Sequence, residues 1–200
     1  EFRWIHDGLE LADSYVFNPH KWMFTGFDCS CLFVADRASL INALTILPEY
    51  LRNAATASGA VIDYRDWQVP LGRRFRALKL WFHILDVGVD GLRARIRRDV
   101  ENARWLADRV DETPGWERLA PVPLQTVTLR HVPSGADDEV RLAAHNLAIA
   151  RRVNEGGRAY LTPSVLKGQQ TLRVSIGAET TERRHVEALW RELQDSARAE

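Results

Sequence analysis

Residues 15–30 read YVFNPHKWMFTGFDCS, and the lysine in their middle decides how the rest of the chain is read. Lys21 has an apolar run on each side, a poor place for an ammonium, which is rarely buried without a partner. Of the 27 basic residues only Lys21, Lys79 and Lys167 are lysines, so ordinary surface charge is carried by arginine. A lysine amine whose pKa is lowered by burial or by neighbours becomes a nucleophile towards carbonyls. A strand ending in Asn18-Pro19 would hold such an amine rigidly. The plain alternative is a lysine reaching from a strand end to water. Periodicity leaves both open.

The 200 residues are 46% hydrophobic and 27% charged, with a formal net charge of zero, the composition of an ordinary globular protein. No basic excess draws the chain to nucleic acid or to an anionic membrane. The longest apolar stretch, LKLWFHILDVGV at 78–89, is interrupted by charge and too short to span a bilayer. The N-terminal EFRWIHDGLE carries acidic residues, no apolar signal-peptide core and no initiator Met. A cytoplasmic protein whose chain starts partway through a longer one is the expectation. Cys29 and Cys31 form a C-x-C expected on one strand face, with no second Cys/His pair at ligand spacing. Free thiols, not a disulfide or a metal site, are expected.

LADSYVFNP predicts a strand closed by Asn-Pro, and CSCLFVAD a second strand after the TGFD turn. A short helix is expected over Ala38–Leu47, stopped by Pro48. The segment that follows, to Gln68, is long, rich in small and polar residues and aperiodic, the profile of a functional or mobile loop. Phe75–Val87 has helical period, with Phe75, Leu78, Trp81, Phe82 and Leu85 apolar; Gly88 and Gly91 should break it before a second helix over Leu92–Val110. Its RARIRR run reads as a wet helix face rather than a nucleic-acid contact. Beyond Pro114, TVTLRHV, RAYLTPSVL and QTLRVSIGA read as strands. DDEVRLAAHNLAIARRVNEGG reads as a helix, and TTERRHVEALWRELQDSARAE as a closing helix capped by Thr180 or Thr181. This alternation predicts a small α+β domain.

Three blocks carry a resemblance. NPHKW after a strand, followed by FDCS, resembles the cofactor-lysine motif of the group II pyridoxal-phosphate-dependent amino-acid decarboxylases. DYRDWQVPLGRRFRALKLWF at 63–82 is similar to a signature of their aromatic-L-amino-acid branch, and LRVSIGAETTERRHVEALW at 172–190 resembles that branch's closing strand and helix. The blocks stand in family order and at about family spacing.

The resemblance implies an α/β chain of the type I pyridoxal-phosphate transferase (aspartate aminotransferase-like) fold. Residues 1–78 would be the end of the large, mainly parallel-sheet domain, with a mobile catalytic loop at about 48–60, and residues 79–200 the small C-terminal α+β domain. It implies decarboxylation of an aromatic L-amino acid (tryptophan, tyrosine, dopa or phenylalanine) to its amine and CO2. The alternatives are an aromatic aldehyde synthase, another group II decarboxylase such as one for histidine, or a non-catalytic assembly fragment.

By the same resemblance Lys21 carries pyridoxal 5'-phosphate as a Schiff base, and Asn18 bonds its phosphate rather than merely ending the strand. His20 lies beside the cofactor or serves the turn. Tyr50, on a lid that closes over the neighbouring subunit's site, protonates the product carbon; family members with phenylalanine there tend to be aldehyde synthases. Gly72 lines the partner's substrate pocket and leaves room for an indole, or is glycine only for its backbone angles. Arg65, Arg73, Arg74 and Arg76 are expected in structural ion pairs with Asp63, Asp66 and the partner chain. The implied assembly is a homodimer with shared active sites. An N-terminal part would supply the aspartate and histidine that contact the cofactor ring, and these residues alone would be inactive.

Overall fold

In the computed structural model, which describes residues 1–45 and 54–198, Ser14–Phe17 (β1) and Cys31–Val34 (β2) pair antiparallel, Ser14 opposite Val34 and Phe17 opposite Cys31. The pairing sets Tyr15 across from Phe33, and Phe17 stacks on Phe33 at 6.1 Å between ring centres. The second strand begins at Cys31, so the two cysteines do not share a strand face as expected. Cys29 precedes the strand because its backbone is taken by His20. Both thiols are free, Cys29 buried and Cys31 half-buried.

Asp36 starts the first helix (α1, Arg37–Leu44) by accepting the N–H groups of Ala38 and Ser39, each at 3.0 Å. The helix stops at Leu44, short of the expected Leu47, because Thr45 is already extended. The described part of the aperiodic segment holds one short helix (α2, Ala54–Ala57) and a 3-10 turn at Tyr64–Trp67.

The third helix (α3, Ala77–Glu112) is interrupted at Gly88, whose φ of 72° and ψ of 161° lie where only glycine sits without strain. Gly91, the other expected breaker, stays within the helix. The chain divides here into two compact units, Glu1–Asp86 and Val87–Glu200.

The second unit is built on four antiparallel strands in the order β3-β4-β6-β5: β3 Trp116–Arg118, β4 Thr126–His131, β5 Thr162–Leu166 and β6 Gln169–Ser175. β3 is too short to show an alternation and escapes a sequence reading. β5 and β6 are joined by Lys167-Gly168, both at positive φ, the two-residue turn whose twist suits a hairpin. The fourth helix (α4, Glu139–Glu155), capped by Asp138, packs on β4, β5 and β6, and the fifth (α5, Arg183–Arg198) packs on α4. α5 starts beyond Thr180 and Thr181. The N–H of Glu182 donates to Nδ1 of His185 at its first turn.

Two asparagines fix α4 to the strands. Asn146 accepts the N–H of His131 at 2.8 Å and donates to its carbonyl at 2.9 Å; Asn154 does the same for Leu161 at 2.7 and 3.0 Å. Between helices and sheet lie fully buried side chains, Leu106 from α3, Leu129 from β4, Ile149 from α4, Leu172 from β6 and Leu193 from α5.

Candidate active site

Residues 18–30, between β1 and β2, form a hydrogen-bonded turn around Lys21. The Lys21 N–H donates to the Asn18 carbonyl at 2.9 Å, that of Phe24 to the Lys21 carbonyl at 3.2 Å, and that of Thr25 to Pro19 at 3.1 Å. Pro19, Thr25 and Cys29 are buried beneath the turn. The return path is laced to the outgoing one. Ser30 Oγ donates to Asn18 Oδ1 at 2.5 Å, and the His20 N–H donates to the Cys29 carbonyl at 3.2 Å. The His20 ring sits on the same backbone, Nδ1 3.0 Å from the Cys29 nitrogen and 2.6 Å from its oxygen, and meets Phe27 edge-on at 4.9 Å. In either neutral tautomer the imidazole is held by Cys29, accepting from its N–H or donating to its carbonyl.

Lys21 itself is exposed, and its ammonium has no hydrogen bond or ion pair among the described residues. The turn therefore presents an uncommitted primary amine on a braced backbone. Asn18 completes the donor set: its Oδ1 is taken by Ser30, while its amide N–H2 has no partner among the described residues. An amine and a free amide donor carried on one turn suit a small molecule bearing both a carbonyl and an anionic group.

The segment containing Gly72 reaches this turn through Asp28. Arg74 Nη2 donates to Asp28 Oδ1 at 2.6 Å and Arg76 Nε to Oδ2 at 3.0 Å. The Arg76 hydrogen bond, with the charges of both arginines, holds the Asp28 carboxyl down at about 2. Cys29 Sγ also lies 3.9 Å from the Arg76 carbonyl, a weak thiol contact. Of the expected arginine pairs, Arg65 meets Asp63 at 2.9 Å and Asp66 at 3.7 Å. Arg74 and Arg76 bond Asp28 instead, a partner that no local pattern in the sequence announces. Gly72 is exposed, a Cβ built there would meet nothing within 4 Å, and its φ is outside the left-handed region. Neither its backbone angles nor crowding among the described residues requires glycine there.

Lys21, Asn18 and His20 are thus brought together in one turn, with the Gly72 segment tied to it two and four residues downstream of the glycine. Tyr50 lies outside the described residues.

The conserved domain of the pyridoxal-dependent decarboxylases matches residues 1–132. Tyrosine decarboxylase 1 of Narcissus pseudonarcissus is 42% identical over 204 residues, covering 100% of this chain and 40% of that protein. A phenylacetaldehyde synthase of a Rosa hybrid cultivar is 42% identical over 205 residues, again 100% of this chain and 40% of its own. A crystal structure of Oryza sativa TDC with PLP and tryptamine superposes with a TM-score of 0.91 at 37% identity, over 98% of this chain and 41% of that one. The chain therefore spans about 40% of the length of the relatives it matches. Its two units are parts of the type I fold of pyridoxal-phosphate enzymes. The chain belongs to the pyridoxal-dependent decarboxylase family.

Proposed function

We propose that this chain is the C-terminal part of an enzyme that decarboxylates an aromatic L-amino acid to its amine and CO2, with pyridoxal 5'-phosphate held on Lys21. The observation that carries the reading is the braced turn with its uncommitted amine and amide. It is supported by relatives named for tyrosine decarboxylation and by the TDC structure with PLP and tryptamine.

When bound, pyridoxal phosphate supplies the electron sink that lets a carboxylate leave as CO2. The chain's own residues do the rest. Lys21 would hold the cofactor through its aldehyde and leave it open to the substrate amine. The Asn18 amide would donate to the phosphate. His20, bound to Cys29, keeps the lysine turn closed. Gly72 leaves room for an aromatic ring. Tyr50 delivers a proton to the carbon that has lost its carboxylate, which a phenol does when held at hydrogen-bond distance in a site closed to water. A tyrosine at this position favours amine over aldehyde as the product, although aldehyde synthases are also among the relatives.

The working unit is a cytoplasmic homodimer with shared sites, completed by an N-terminal part. Two findings support that addition: the 40% coverage of the relatives, and the aromatic and aliphatic side chains that the first unit leaves exposed.

The test is borohydride reduction of the full-length enzyme with its cofactor, followed by peptide mapping. Condensation of the lysine amine with the aldehyde releases water, and hydride then fixes the C=N bond as a stable secondary amine. The label is expected on the peptide containing Lys21. Lys21→Arg, which keeps the charge but supplies no neutral amine, should lose it. A label on Lys79 or Lys167 would overturn the reading.

A further inference from the structure

We propose that Asp28 is a positioning residue for Lys21: it clamps the lysine turn to the Arg74–Arg76 segment and so fixes where the lysine amine meets an incoming carbonyl. The proposal rests on the role of Lys21 given above.

Asp28 is where two segments 46 residues apart in sequence are joined. Both carboxylate oxygens are used, Oδ1 by Arg74 at 2.6 Å and Oδ2 by Arg76 at 3.0 Å, so the group is fixed in rotation as well as position. The next two residues carry that constraint across the turn. Cys29 grips the ring and backbone of His20, immediately before Lys21, and touches Arg76 through its thiol. Ser30 grips Asn18, whose carbonyl accepts the Lys21 N–H. Asp28, Cys29 and Ser30 are thus three successive rungs: the first is anchored outside the turn, and the other two reach the residues that precede Lys21. A shift of Asp28 moves the lysine backbone through short, directional bonds rather than through loose packing.

The Asp28 side chain is one-third exposed, so a simple surface ion pair here would count for little towards stability. What the arrangement supplies is orientation. The carboxyl, held at about 2, stays ionised throughout the range in which a decarboxylase works, so the clamp is permanent and not a pH switch.

The experiment compares native and variant full-length enzyme by the rate at which pyridoxal phosphate is captured at Lys21. Capture is trapped with borohydride, read on the Lys21 peptide, and set beside the melting temperature. Asp28→Asn should slow capture roughly tenfold, within the range for residues coupled in one network, and Asp28→Glu should recover part of the rate. Asp28→Asn combined with Arg76→Gln should be no slower than the worse single variant, since both break one link. If Asp28→Asn does not fold, Arg76→Gln, which leaves the Arg74 bond in place, carries the same comparison. A native capture rate with only a lowered melting temperature would make Asp28 a structural residue and overturn the clamp while leaving the role of Lys21 intact. Capture of the native enzyme at Lys79 or Lys167 would overturn both.

Discussion

At Gly72 the backbone takes angles open to any residue, and no atom of the described residues lies within 4 Å of where a Cβ would stand. On the proposed function, this glycine leaves room for the substrate's ring. Gly72→Ser should therefore fold as the native chain does, and its effect should appear in substrate choice. A small group mismatched in a pocket costs about 1–3 kcal/mol, some ten- to two-hundredfold in specificity. The expected outcome is a larger loss of kcat/KM for tryptophan, with its bulkier ring, than for tyrosine. Equal losses would remove Gly72 from the pocket. Among single residues, the placing of Lys21 and Asn18 in one turn was legible in the sequence because their motif is contiguous and the turn that holds them is local. Asp28 was not, because the arginines it serves stand 46 and 48 residues away, and the acids nearer to those arginines offered a plausible but wrong match. His20 shows an intermediate case. Its place in the motif was plain, but its grip on Cys29 depends on the return path of the chain.

Among elements, the long helices and strands followed their periods, and the misses fall where period carries no information. Gly88 and Gly91 look alike in sequence, yet only Gly88 leaves the helix. Asn146 and Asn154 read as polar positions on an amphipathic helix but fasten α4 to β4 and to the entry of β5. Near the first fastening, His131 Nδ1 lies 2.8 Å from His145 Nε2, and the His131 ring packs against Trp116. Burial, with the charge of His145 second, pushes the His131 pKa below its ordinary 6.5. In the unfolded chain the imidazole takes its proton more readily, so protons favour unfolding. The contribution is complete above pH 6.5 and is lost as pH falls through 6.5 towards the lower folded value. The melting temperature of the second unit should accordingly drop between pH 7.5 and pH 5, and His131→Gln should flatten that part of the profile. An unchanged slope in the variant would assign the acid sensitivity to other groups.

On the scale of the whole molecule the two units differ in what holds them together. The second has a continuous core from α3, the sheet, α4 and α5, closed by Trp116 and Trp190 at 5.0 Å between ring centres. In the first, Cys29 is the one buried residue of the hydrophobic type among those described, while Phe27 and Leu11 are each 84% exposed and Trp81, Phe82 and Leu85 of α3 are also open. The apolar stripe on α3 was legible as a period; what it packs against was not, because nothing among the described residues of the first unit covers it. Folding must offset about 1–2 kcal/mol of backbone entropy per residue, and apolar burial of about 25 cal/mol per Å2 is the main term that does so. The second unit has that burial, and the described residues of the first do not. Residues 87–200 expressed alone should therefore unfold in a single cooperative transition with dispersed amide resonances, whereas residues 1–86 alone should show neither and should aggregate through their exposed aromatics. Circular dichroism melts and proton–nitrogen spectra of the two pieces decide it. A cooperatively folded, monomeric 1–86 would mean that the lysine turn is braced by its own unit, and the added N-terminal part would then be needed for chemistry alone.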